Sequence, residues 1–195
     1  MRNTVTTGIS LFAGILLLAG CGGQTDQSAQ DTTNTGTNTS TSTDNASGVD
    51  LPERTAPTKS LKLDNPCSII TQQQAREIGA DRAPYARTSN DRQGCSYQKG
   101  EVGSDSGWRV FVAPDFERTL PEAIKTHPGG NKKEIAGYPV YAAKMSSVDC
   151  FSVADVAEDG FLLVNGQVRP SQNKPEPCPL FTEFAKTAIE DLPNA

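Results

Sequence analysis

The sequence has few of the residues on which most enzymes and metal sites depend. Among 195 residues there are 1 histidine, 1 tryptophan and 2 methionines, and no Cys-x-x-Cys pair. A Ser-His-Asp set would have to use His127, yet there is no Gly-x-Ser-x-Gly elbow. A zinc site would have the same single imidazole, and a redox-active thiol is not expected without the Cys-x-x-Cys spacing. The sequence therefore predicts no catalytic set, no metal site and no cofactor.

No apolar run is long enough to cross a membrane as a helix. The longest, residues 9–19, has about a dozen residues, against roughly 20 for a spanning helix. It follows a short cationic start and ends in Leu18-Ala19-Gly20-Cys21, which is a bacterial lipobox. We interpret residues 1–20 as a signal peptide and Cys21 as the lipid attachment site, which would hold the protein on the outer face of a bacterial membrane. An ordinary secretory signal and an uncleaved anchor helix are the alternatives.

Basic residues are too few to favour a nucleic-acid partner. The chain has 18 Lys and Arg residues against 23 Asp and Glu residues, a formal charge of −5. Phosphate backbones require basic patches, and anionic lipid would repel such a domain, so the acyl anchor at Cys21 has to provide the membrane attachment.

Four cysteines follow the lipobox cysteine, and an even number outside the cytoplasm predicts two disulfides with three possible connectivities. We favour the sequential pairs Cys67–Cys95 and Cys150–Cys178, because each would join a helix to the sheet. Free buried thiols are the alternative.

Residues 21–61 are rich in Thr, Ser, Asn and Gln and have little apolar surface to bury. Such composition is typical of a disordered tether. Residues 62–195 are then one folded domain, with enough chain for one core.

The domain predicts an α+β fold. A capping box at Thr71 and Gln74 starts a first helix, a second box at Thr119 and Glu122 starts another, and an apolar stripe over residues 179–192 indicates a third that covers the core. Residues 80–93 are expected to form a loop. The strand candidates are residues 94–98, 108–112, 138–145, 150–156 and 160–164. Hairpins between them predict an antiparallel sheet of about five strands packed by three helices.

Two short motifs resemble an actinobacterial lipoprotein family known as domain of unknown function 3558. They are Asn65-Pro66-Cys67-Ser68-Ile69-Ile70-Thr71 and Gly94-Cys95-Ser96-Tyr97, with a later match around Cys150. The family often has Asp at position 65 and Trp at position 97. The resemblance covers about residues 64–192 and implies an anchored extracellular domain similar in fold to Mog1/PsbP-like proteins. It implies no catalytic residues.

Other groups that could carry chemistry have simpler explanations. His127 is expected to lie at the surface near a helix C-terminus, where its positive charge is favourable. Asp155, Glu158 and Asp159 lack the spacing of a calcium loop and are expected to form a solvated hairpin turn. The aromatic residues could line a groove but are expected to be core: Tyr97, Trp108, Tyr138 and Tyr141.

The sequence therefore favours a non-enzymatic binding or interaction module, anchored at the extracytoplasmic face of the cell membrane. Its partner would be an envelope protein or a small apolar ligand. An envelope hydrolase with a composite site is the alternative function.

Overall fold

A computed structural model describes residues 50–101, 107–171 and 174–195. The signal peptide, Cys21 and residues 21–49 of the tether lie outside the described residues, so those assignments stay predictions. No helix in the described ranges has the length and apolar character needed to cross a bilayer.

Seven strands form one antiparallel sheet in the order β1-β2-β3-β7-β6-β5-β4. Two meanders, β1 to β3 and β4 to β7, meet where β3 pairs with β7. The strands are β1 Tyr85–Ser89, β2 Arg92–Lys99, β3 Trp108–Asp115, β4 Asn131–Ile135, β5 Tyr138–Lys144, β6 Asp149–Ala154 and β7 Phe161–Val168.

The sequence predicted five strands, and the two that it missed are the outer ones, β1 and β4. Residues 80–93 were assigned to a loop, but β1 and the start of β2 lie within them. Both outer strands are mostly exposed, so they lack the apolar alternation that marks a half-buried strand. Each joins its neighbour through a two-residue turn with positive φ at both positions, Asn90-Asp91 and Ala136-Gly137. Backbone pairing and turn geometry therefore form these strands without an apolar face.

Three α-helices accompany the sheet, with a 3₁₀ turn at Pro66–Ser68. They are α1 Gln72–Glu77, α2 Leu120–Lys125 and α3 Pro177–Asp191. The predicted capping boxes are confirmed, since Thr71 pairs with Gln74 and Thr119 with Glu122 in both directions. The molecule is thus an α+β domain.

One face of the sheet is covered over its five inner strands, and we call it the stapled face. Helix α3 packs on β3, β5, β6 and β7, as the sequence predicted, while the segment around Ile69 and Ile70 packs on the β2 end. The Phe184 ring lies 5.3 Å from both Tyr97 and Trp108. Two disulfides hold these covers in place: Cys67–Cys95 joins the 3₁₀ turn to β2, and Cys150–Cys178 joins β6 to α3. These are the sequential pairs favoured above.

The opposite face is covered over only part of its width. Ala123 and Ile124 of α2 pack on an apolar group that includes Tyr141, Phe151 and Leu163 from β5, β6 and β7. At 1.5 Å per residue the six residues of α2 span about 9 Å, whereas seven strands span roughly 30 Å. No helix of the described residues packs on the part over β1, β2 and β3 and the far end of β7, and we call this part the open half.

The folded part begins earlier than predicted. Residues 51–61, assigned to the tether, lie against the domain: the backbone N–H of Thr55 bonds Gly137, that of Lys59 bonds Val156, and the Leu61 side chain is buried. The predicted C-terminal boundary of the tether at residue 61 is therefore wrong. Backbone hydrogen bonds and a few buried side chains order residues 51–61 despite their polar composition.

Candidate functional site

The open half contains a cavity of about 220 Å³. It is lined by residues of four strands and by the residues that directly follow β2 and β7. Its walls carry four cationic side chains, three amides, two aromatic rings and one carboxylate. The lining residues are Arg87, Gln98, Lys99, Gly100, Glu101, Trp108, Arg109, Phe111, Asn165, Gly166, Gln167 and Arg169.

Strand periodicity and register decide which side chains meet here. Residues two apart on a strand share a face, so Arg109 and Phe111 of β3 point away from the stapled face, to which Trp108, Val110 and Val112 belong. Arg109 is paired with Gln98 on β2 and with Gln167 on β7. Phe111 is paired in the same way with Ser96 and Asn165. Arg109 with its two amide neighbours, and Phe111 with Asn165, therefore form the floor of the cavity, while Ser96 is buried and does not line it.

A cation–aromatic contact organises one side of this floor. The Arg87 guanidinium lies 4.8 Å from the centre of the Phe111 ring. The ring reaches this position across Gly94, where an added Cβ would lie 2.6 Å from Phe111 Cζ and 2.5 Å from the Val112 oxygen. The missing side chain at Gly94 thus lets groups from β1 and β3 meet above β2.

Unsatisfied polar atoms are concentrated on this face. Within the described residues four buried side-chain atoms have no hydrogen-bond partner, and three of them are Arg87 Nε, Ser96 Oγ and Arg109 Nε. The fourth, Ser152 Oγ, belongs to the stapled face. A buried polar atom without a partner costs about 1–3 kcal/mol, so the open half carries three of the four such costs found in the described residues.

The charge on this face is unbalanced. Arg87, Lys99, Arg109 and Arg169 make no ion pair with any residue of the described ranges. The one carboxylate in the lining, Glu101, accepts a hydrogen bond from Arg82 at 2.7 Å. A net positive site therefore forms on a chain whose formal charge is −5.

Three arginines elsewhere are paired. Arg92 and Arg118 both bond the buried carboxylate of Asp115, at 2.5 Å and 2.8 Å. Burial alone would raise the pKa of Asp115, but the hydrogen bonds and charges of Arg118 and Arg92 outweigh it and hold the pKa below its usual value. Arg54 is paired in the same way with Asp155 and Glu158.

The residues singled out from the sequence do not form this site. His127 follows α2 with its ring 4.1 Å from that of Phe151. It lies just past the C-terminus of α2, where the sequence placed it, and burial and then the charge of Arg118 lower its pKa. The four aromatic residues considered as a groove are buried, and only Trp108 reaches the cavity.

The acidic hairpin turn is solvated at Glu158 and Asp159, as predicted, but not at Asp155. Asp155 is partly buried beside Arg54, and burial raises its pKa although Arg54 opposes the shift. Glu158 also pairs with Arg54, and Asp159 lies 3.5 Å from Lys62. These carboxylates are thus used in ion pairs that attach residues 54–62 to the domain.

Sequence reasoning missed the cationic residues of the cavity. Arg87 stood in a segment assigned to a loop, and its placement depends on pairing with β2. One signal was present: Arg109 interrupts the apolar strand Trp108-Arg109-Val110-Phe111-Val112. A charged side chain is rarely found in a buried strand unless it is paired or functional.

A comparison with models of protein families shows which family the chain belongs to. The model of a family described as protein of unknown function (DUF3558) matches residues 16–191. Because the match spans most of the sequence, the chain belongs to this family. No curated protein and no solved structure matches it.

Proposed function

We propose that this DUF3558 protein is a lipid-anchored binding module of the bacterial cell envelope, and that its open half holds the ligand. The lipobox at Cys21 supports the anchor, and two disulfides are typical of a domain outside the cytoplasm. The proposed likeness in fold to Mog1/PsbP-like proteins rests on the family resemblance and on the α+β architecture.

The single observation that carries the binding role is a pair of buried donors without a partner, the Nε atoms of Arg87 and Arg109. Burying an N–H donor without a partner is unfavourable, so a fold that does so twice on one face gains stability when a ligand supplies the acceptors. Proteins retain groups that lower the stability of the fold mainly at functional sites.

Binding fits this site better than catalysis. Nucleophilic hydrolysis needs a hydroxyl or thiol next to a base, and the described lining residues include no serine, threonine, cysteine, tyrosine or histidine. The only carboxylate, Glu101, is paired with Arg82. We therefore propose a non-enzymatic role.

Membrane attachment is tested by Cys21→Ala. We expect the wild-type protein to enter the detergent phase and the variant to stay unlipidated, because no thiol remains for acylation. Equal partition of the two proteins would contradict the anchor.

Ligand occupancy is tested by native mass spectrometry of the protein isolated from its own envelope. We expect an adduct that dissociates on unfolding and is lost in Arg109→Gln. The control is Arg76→Gln, which removes the same charge from an exposed position of α1 that does not line the cavity. An adduct that is absent from all three proteins, or equal in all three, would contradict a ligand at this face.

A further inference from the structure

We propose that the cavity of the open half binds the phosphate group of a small phosphorylated ligand. The inference rests on the proposed binding function and names the chemistry of the ligand. It replaces the apolar ligand expected from the sequence, which would leave the Arg87 and Arg109 donors unpaired.

The number of cations selects phosphate over a single carboxylate. Arg87, Arg109 and Arg169 line the cavity without an acidic partner in the described part of the chain, and Lys99, which the register pairs with Trp108 of the stapled face, adds a fourth unpaired charge beside it. One carboxylate brings one negative charge and would leave most of this charge unbalanced. A phosphate monoester carries about −1.5 to −2 charges and three acceptor oxygens near neutral pH, which suits several donors at once.

The geometry of the donors points the same way. Arginine presents a planar fork that binds two phosphate oxygens, and lysine acts as a point charge beside it. The Arg87 guanidinium lies 4.8 Å from the centre of the Phe111 ring, and its buried Nε has no hydrogen-bond partner among the described residues, so a donor is left for a ligand. Arg109, two residues from Phe111 on the same face, offers a second fork.

The remaining lining residues suit the organic part of such a ligand. Gln98, Asn165 and Gln167 are amides that can donate to and accept from hydroxyl groups, and Trp108 and Phe111 supply an apolar wall. A volume of about 220 Å³ is below the usual 300–1,000 Å³ of drug-sized pockets, so the ligand is small or enters by one end.

Overall charge excludes a long polyanion as the preferred ligand. A chain of −5 repels a nucleic acid outside the immediate patch, whereas a small phosphate meets only the local cations. The same phosphate chemistry is available from a soluble phosphate ester and from the headgroup of an anionic phospholipid in the membrane to which the domain is anchored.

The test is calorimetric titration of the mature chain, residues 21–195 with both disulfides formed. The soluble probe is glycerol 3-phosphate, with acetate as the carboxylate control. The lipid probe is vesicles of phosphatidylcholine with and without phosphatidic acid. We expect binding to at least one phosphate probe, weaker binding of acetate, and an affinity that falls with added salt.

Variants connect the binding to the cavity. Arg109→Gln and Arg87→Gln should each lower the affinity about tenfold or more, since each removes a charge-assisted contact, while Arg76→Gln should leave it unchanged. Melting curves establish that each variant is folded, and the use of two cavity variants protects the test if one of them is not.

If only glycerol 3-phosphate binds, the phosphate group comes from a soluble ester. If only vesicles with phosphatidic acid bind, it comes from a phospholipid headgroup. Absence of binding to both probes, equal binding of acetate, or an equal loss in Arg76→Gln would overturn the inference. If the native adduct is still lost in Arg109→Gln, the binding function stands and only the phosphate chemistry fails. If no adduct exists either, both fail.

Discussion

The two faces of the sheet handle polar groups in opposite ways. On the stapled face, apolar side chains meet α3 and two disulfides fix the cover. On the other face, α2 covers an apolar part and the open half keeps arginines without partners. We infer that the packing and disulfides of the stapled face provide most of the stability of the fold. The opposite face can then carry buried polar groups without partners, although such groups lower the free energy of unfolding.

The same contrast appears along one strand. On the face opposite α3, strand β3 presents Arg109 near one end and Asp115 at the other. Asp115 is fully buried and accepts hydrogen bonds from Arg92, Arg118 and two backbone N–H groups. Arg109 has none of these. The charge at one end of β3 is therefore balanced by two arginines, whereas the charge near the other end has no acidic partner among the described residues.

The largest effect should come from the disulfides of the stapled face. Each closes a separation of 28 residues, and removing one pair, as in Cys150→Ala with Cys178→Ala, should lower the free energy of unfolding by about 3–4 kcal/mol. Denaturant unfolding measures this loss, with the Cys67→Ala and Cys95→Ala pair as the matched comparison. Non-reducing peptide mapping that linked Cys67 to Cys150 or Cys178 would refute the pairing.

The next effect should come from the balanced charge. Asp115→Asn should lower the free energy of unfolding by about 2–3 kcal/mol at neutral pH, because Arg92 and Arg118 lose their charged acceptor. Since folding lowers the pKa of Asp115, its contribution is present above the unfolded pKa of about 3.9 and is lost as pH falls through the folded value.

Unfolding curves recorded from neutral pH to below pH 4 check this sign. The wild type should lose stability on acidification more steeply than the variant does. Parallel pH profiles for the two proteins would show that Asp115 is not the group responsible.

A smaller effect should come from the floor of the cavity. Gly94→Ala should cost about 1–3 kcal/mol, because its Cβ would overlap the Val112 oxygen and the Phe111 ring. It should also weaken ligand binding by displacing the ring on which Arg87 stacks. Phe111→Leu is the comparison, since it removes the stacking without the overlap. A Gly94→Ala protein with unchanged stability and affinity would contradict this geometry.

The smallest effect on stability should be at Arg109, although its effect on binding should be as large as that of Arg87. Arg109→Gln removes a buried donor without a partner and one of four neighbouring cations. The free energy of unfolding should therefore stay within about 0.5 kcal/mol of the wild-type value or rise. A loss comparable with that of Arg92→Gln, which breaks a bond to Asp115, would mean that Arg109 is a structural residue.

Sequence reasoning succeeded where a signal is local. The capping boxes at Thr71 and Thr119 and the apolar stripe of α3 depend on neighbours within one or two turns, and the structure has all three helices there. It failed where structure depends on pairing partners. The exposed strands β1 and β4 carry no apolar pattern, and residues 51–61 are ordered by contacts with distant segments.

The candidate site is one of the features that depend on pairing between distant strands and not on a local signal. Trp108-Arg109-Val110 marks a cation within a buried strand, but no local rule relates it to Arg87, which lies on another strand two positions across the sheet. That Asn165 and Gln167 belong to the same site follows only from the pairing of β3 with β7, which brings together residues more than 50 apart in sequence.

By itself, the sequence determined the helices and the inner strands, because these depend on side-chain periodicity and short motifs. Only the tertiary structure decided which face would stay open. A six-residue α2 cannot cover a sheet of seven strands, and the register of β1, β2, β3 and β7 places unpaired cations in the area that remains. Periodicity assigns a side chain to a face, but what covers that face is set by the lengths and connections of elements far apart in the chain.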